Sequence, residues 1–281
     1  MWDIKGKNCV ITGGTSGIGL EASKRLRDAG GNLIFLVRSD NRKEQMLDIF
    51  PEAEYYIADL GDLQSVHNVA QQIKKHYSSI SLLKNNAGII SYEKLTKDKN
   101  GIEQTIVTNY LSHFLLTETL LPNLKQEREA RIVSTGSLIH RKANINFNDI
   151  YNEGNYAPLK MYATSKLMLV MYSHHLGERL NLTNINTHCV DPGIVGTQIS
   201  RSRGKFFNQL FKVGKLFMTS PEKGSRTNSY GCLSPELTNK TSTYLMKEQI
   251  NSAEDFVFDK DMWRQLEDWS FNTLKKVGID F

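Results

Sequence analysis

Residues 8–19 read Asn8-Cys9-Val10-Ile11-Thr12-Gly13-Gly14-Thr15-Ser16-Gly17-Ile18-Gly19. A short apolar run rich in β-branched side chains passes into a glycine-rich stretch, and helix-forming sequence follows through Ala29. The order predicts a strand, a tight turn and a helix. Glycines at 13, 17 and 19 permit the turn, a close approach of backbone to a pyrophosphate and snug packing of helix on strand, while the helix start attracts phosphates. Because the loop follows a strand and opens a helix, it predicts dinucleotide binding. Its glycine spacing, three residues and then one, differs from the one-then-two of the commonest dinucleotide fingerprint. Farther along, NLIFLV (32–37), the stretch 53–58, SLL (81–83), RIVST (131–135) and INTHCV (185–190) read as further strands. Helix-period segments alternate with them; in one, Leu63, Val66, Ala70, Ile73 and Tyr77 step by three and four, the mark of a single buried stripe. Strands apolar on both faces and joined by helices imply an α/β fold, a Rossmann-type doubly wound parallel sheet.

With 281 residues, 40% of them apolar and 23% charged, the chain is an ordinary soluble globular sequence, and one domain over 1–281 is the simplest organisation. No long apolar run of a signal peptide or a membrane span opens it, which places it in the cytoplasm or an equivalent compartment and predicts no stable membrane span. Cys9, Cys189 and Cys232 are far apart and read as reduced structural residues. The net charge of +5 is scattered through helices rather than gathered in a basic arm, which argues against nucleic acid. His174 and His175 are adjacent and point in different directions, so no metal site is expected.

In YATSK (162–166), Tyr162 and Lys166 stand four residues apart. On a helix that spacing puts both on one face, where an ammonium beside a phenol favours its ionised form and makes it a proton donor and acceptor nearer neutrality.

Several further motifs accompany this pair: TGGTSGIG (12–19), DL (59–60), NNAG (85–88), NYLSHFLLT (109–117), RIVSTGS (131–137), DPGIVGT (191–197) and SPEKG (220–224). In this order and spacing, over nearly the whole chain, they resemble the short-chain dehydrogenases/reductases, in the branch of retinol dehydrogenases and WW-domain oxidoreductase. The resemblance implies an oxidoreductase that interconverts a carbonyl and an alcohol by hydride transfer. Tyr162 would be its general acid or base, Lys166 would depress the pKa of Tyr162 and hold the nicotinamide ribose, and Ser137 would orient the substrate oxygen, with Ser134 as its rival. Asn109 resembles the asparagine that holds a water in the proton relay to Lys166. The cofactor would be held by Gly13, Thr15, Ser16, Gly17, Ile18 and Gly19, by Asp59 and Leu60 at the adenine, by Asn86, Ala87 and Gly88 along the adenosine, and by Pro192, Gly193 and Thr197 at the carboxamide.

Cofactor choice is read at the end of the second strand, where an acid would bind the ribose 2′-hydroxyl. Here Leu36 and Val37 lead to Arg38, with Arg42 and Lys43 behind it, so NADP is expected over NAD. Three departures from the family pattern stand out. Lys84 occupies a place usually aliphatic, so its side chain must reach solvent or the cleft; Gly136 replaces a serine; Asp191 replaces a histidine. The insert before Tyr162 would wall the substrate cleft. Residues 194–219 are expected to form a small lid, its Phe206, Phe207, Leu210, Phe211 and Phe217 pointing to an apolar carbonyl or alcohol substrate, with 220–281 a C-terminal extension of the same domain. The helix carrying Tyr162 is apolar nearly all round, which fits either a homodimer or homotetramer interface or burial within its own chain. The alternative function is a non-catalytic NADP-binding sensor on the same fold.

Overall fold

The computed structural model describes residues 2–90, 94–193 and 220–281. Eight strands form one sheet: β1 (Asn8–Thr12), β2 (Asn32–Val37), β3 (Glu54–Ile57), β4 (Leu82–Asn85), β5 (Ala130–Thr135), β6 (Ile185–Asp191), β7 (Thr243–Met246) and β8 (Gln249–Asn251). Their spatial order is β3-β2-β1-β4-β5-β6-β7-β8. All neighbours are parallel except β7 and β8, an antiparallel pair turned over Lys247 and Glu248. The order reverses between β1 and β4, which places a crevice at the carboxyl ends of these two strands.

The strands alternate their side chains between two apolar clusters. Val10, Ile34, Leu36 and Ile132 enter one of them, while Cys9, Ile11, Leu33, Phe35 and Val133 enter the other. This is why the strand sequences are apolar on both faces. The first cluster is closed by α3 (Leu63–His76), by the helical run 104–124 (α4), by α5 (Pro158–Arg179) and by α7 (Lys260–Lys276). On the other face lie α1 (Gly17–Asp28), α2 (Asp40–Leu47) and α6 (Pro221–Leu233). In α3, the carboxylate of Asp62 caps the N–H groups of Gln64 and Ser65, and Leu63, Val66, Ala70 and Ile73 are buried as their spacing predicts. All three cysteines are free and buried.

Six strands match the sequence reading, with β4 shifted by one or two residues to end at Asn85. β7 and β8 escaped it because four and three residues are too short to show a period. The α5 helix is buried along Met161–Ser173 within its own chain, wrapped by α4, β6 and α7, so its apolar girth needs no partner subunit. None of the described helices is long and apolar enough to cross a membrane. The expected lid at 194–219, with Thr197, lies outside the described residues.

Candidate active site

The glycine loop is shaped by what a side chain would strike. Gly13 (φ +63°) and Gly17 (φ +54°) adopt left-handed backbone, a Cβ on Gly13 would lie 2.6 Å from the Ala87 Cα, and one on Gly19 would lie 2.0 Å from the Gly13 carbonyl oxygen. α1 then begins with Ser16 at its N-cap making no side-chain cap bond and with no acid in the first turn, so its amide dipoles face the crevice uncompensated by side chains. Thr15 is half-buried, Ser16 exposed and Ile18 buried beneath the loop. The loop is stitched to the segment after β4: Asn86 Nδ2 donates to the Gly13 carbonyl (2.9 Å), and the Asn86 and Ala87 amides donate to Thr12 Oγ1 (3.0 and 3.2 Å). Such a cradle fits the pyrophosphate and adenosine of a dinucleotide.

Arg38 emerges exposed at the end of β2, with no carboxylate bonded to it among the described residues. Behind it, Ser39 caps α2 and Arg42 is tied to Gln45. Asp59 is exposed at the end of β3, its carboxylate accepting the Gly61 amide (2.9 Å), and the Leu60 carbonyl accepts the Ser112 hydroxyl (2.5 Å).

Pro158 starts α5, and one turn in, Tyr162 and Lys166 share a face beneath the crevice. Lys166 Nζ lies 5.7 Å from the centre of the Tyr162 ring and donates to the Thr135 carbonyl at 2.7 Å. Ser137, just past β5, reaches the phenol with its hydroxyl. Ser134 stays within the strand, buried and in register with Asn85 and Cys189, which leaves Ser137 as the serine beside the phenol. Gly88 closes the group: a Cβ there would stand 3.4 Å from Lys166 Nζ and 3.5 Å from Asn109 Oδ1.

One expectation changes. Burial, and next the Asp191 carboxylate, push the Tyr162 phenol up to about 12 against the hydrogen bond from Ser137, so the net effect is opposite to the depression expected from Lys166. The Lys166 ammonium is bonded to the Thr135 carbonyl, and burial pulls Lys166 itself down to about 8. Asn109, expected to hold a water on the way to Lys166, lies in a π-helical turn of α4 (Val107–Leu111). Its amide clasps both backbone atoms of Ile89 (2.8 and 2.9 Å) and donates to Ser165 Oγ (3.0 Å), pinning the loop after β4 to α5.

Four residues absent from the sequence expectation of the site complete it or brace it. Thr12 and Thr135 are hubs of the bonds above. His113 is fully buried one turn beyond Asn109, its Nδ1 at 3.1 Å from the Asn109 carbonyl and its Nε2 at 3.0 Å from Thr12 Oγ1, and burial drives its pKa down to about 3. A neutral ring donating from Nδ1 and accepting at Nε2 satisfies both contacts. Lys84 reaches neither solvent nor cleft: it is 1% exposed, and its Nζ bonds Thr135 Oγ1 (2.8 Å) and Asn228 of α6. Thr12, Thr135 and His113 could not be singled out without the fold, because a threonine or a histidine in an apolar run carries no spacing signal; Lys84 stood out as a charge in an apolar strand, but its partners did not. At the end of β6, Asp191 is buried, accepting the Gly193 amide (2.6 Å) and the Tyr244 hydroxyl (2.8 Å), and Pro192 and Gly193 (φ +75°) turn the chain away.

The family model described as short chain dehydrogenase matches residues 7–206. Polyprenol dehydrogenase of Homo sapiens is 30% identical over 96% of this chain and 84% of its own length. Retinol dehydrogenase 13 of Mus musculus is 28% identical over 93% of this chain and 83% of its own. Among solved structures, a short chain dehydrogenase from Burkholderia cenocepacia in complex with NADP is similar with a TM-score of 0.68 and 23% identity, covering 87% of this chain and 97% of that one.

Proposed function

The chain belongs to the short-chain dehydrogenase family, and from that membership we propose that it is an NADP-dependent oxidoreductase interconverting a carbonyl and an alcohol on an apolar small molecule. What supports this most directly is the meeting of Ser137, Tyr162 and Lys166 in one buried place beside the glycine cradle. A bound nicotinamide dinucleotide supplies or accepts the hydride there. Tyr162, whose phenol is protonated through the neutral range, donates its proton to the carbonyl oxygen during reduction, and in the reverse direction its phenolate form takes the alcohol proton. Ser137 orients the substrate oxygen toward that phenol. Lys166 places a buried positive charge one helical turn from it and helps hold the nicotinamide ribose. Asn109 keeps the loop after β4 in register with α5, so that Gly88 and Lys166 stay adjacent.

NADP is favoured by Arg38, which offers a guanidinium where an acid would repel the 2′-phosphate. The choice of an apolar substrate is drawn from the phenylalanine-rich sequence of 206–217, and two relatives are named for polyprenol and retinol, both apolar alcohols. A panel of apolar aldehydes, ketones and alcohols followed through NADPH absorbance tests the assignment, with turnover of at least one class expected. Tight NADPH binding without turnover of any would leave a regulatory cofactor-binding protein in its place.

A further inference from the structure

Two buried ammonium groups converge on one threonine. Lys84 is in register with Ile11 of β1 and Val133 of β5, so it sits in the middle of the sheet. Its Nζ donates to Thr135 Oγ1 at 2.8 Å, while the carbonyl of the same Thr135 accepts Lys166 Nζ at 2.7 Å. The Thr135 hydroxyl lies 3.1 Å from Asn86 Oδ1, and Asn86 holds the Gly13 carbonyl. Thr135 thus touches both cations and, through one side chain, the glycine loop.

Neither oxygen that Lys84 bonds belongs to a carboxylate. The groups facing it from the packed elements are the thiols of Cys232 on α6 and Cys189 on β6, with Lys166 on α5 and His113 on α4. Burial pulls Lys84 down to about 8, and both thiols act the other way. Asp191 acts on Lys166, whose charge it favours. A buried ammonium without a counter-ion costs several kcal/mol, and an apolar side chain of similar length could fill the same space without that cost. Packing gives the charge no purpose.

We propose that Lys84 is a positioning residue for the proton-transfer centre: through Thr135 it locks the carbonyl that holds Lys166, and as a second cation it couples the charge of Lys166 to its own. The two lysines then titrate as a pair. This rests on the assignment of Lys166 as the cation of the centre. Removing the Lys84 charge relieves Lys166 of a like neighbour, so Lys166 keeps its proton to higher pH. Removing the hydrogen bond as well frees Thr135.

The test uses Lys84→Met, which removes both, and Lys84→Gln, which removes the charge and keeps an N–H donor, one bond shorter, directed at Thr135. Lysine carbon-13 NMR, with Lys166 assigned by its loss in Lys166→Met, reads the Lys166 titration without any substrate. Its midpoint is expected to rise by about one pH unit in both variants. The alkaline limb of turnover should move up with it, and turnover at neutral pH should fall in Lys84→Met and recover in Lys84→Gln. An unmoved Lys166 midpoint in the folded variants overturns the proposal. So does failure of both to fold, because the charge would then serve the fold itself. A shifted midpoint in a protein that turns over no carbonyl or alcohol would uphold the coupling and refute the proposed reaction.

Discussion

Lowering the pH should loosen the brace between the glycine loop and α4 through His113. Its ring is completely buried, and its pKa falls from 6.5 in the unfolded chain to about 3 in the fold, with burial as the main cause, the hydrogen bond to the Asn109 carbonyl opposing it, and the Lys166 and Lys84 charges adding to the fall. Below pH 6.5 the unfolded state therefore binds the extra proton while the folded state refuses it. Stability from this group is whole above the unfolded value and is lost as the pH falls toward the folded one. Between pH 7 and pH 5 the loss integrates to about 2 kcal/mol for this one residue. The perturbation is His113→Gln, which removes the titration while its amide can still bond one of the two partners. Urea denaturation of both proteins at the two pH values, followed by fluorescence of the buried Trp2 and Trp263, gives the difference directly. Wild type should lose about 2 kcal/mol more than the variant on acidification, whatever their absolute stabilities. Equal losses would mean that His113 is either hydrated or already protonated, and the tautomer assigned to the Thr12–His113–Asn109 bridge would be wrong.

Tyr162→Phe should lower turnover by about 100- to 10,000-fold while leaving melting temperature and NADPH affinity in place; a fully active variant would remove the phenol from the centre. Arg38→Ala should weaken NADPH by about tenfold, the worth of an exposed charge-assisted contact, and leave NADH unchanged. Equal affinities for NADPH in variant and wild type, by fluorescence titration, would refute the expected selectivity.

Local pattern carried much of this protein. The run Asn8–Gly19 encodes strand, turn and helix because glycine backbone freedom and β-branched apolar side chains act within a few residues, and the Gly13 and Gly17 angles and the crowding around Gly19 are what that run demands. The four-residue step from Tyr162 to Lys166 likewise becomes one face of a helix whatever surrounds it. Charge behaviour could not be read in the same way. A pKa depends on which groups from distant strands meet in low dielectric, so Tyr162 rises under burial and Asp191 where its sequence neighbour alone would have lowered it. The direction of Lys84, inward to Thr135 rather than outward to water, was settled only when β4 took its place between β1 and β5 and α6 brought Asn228 over the end of the sheet. Sequence determined which side chains could do chemistry; tertiary packing decided which of them share a hydrogen bond, because those partners lie tens of residues apart along the chain.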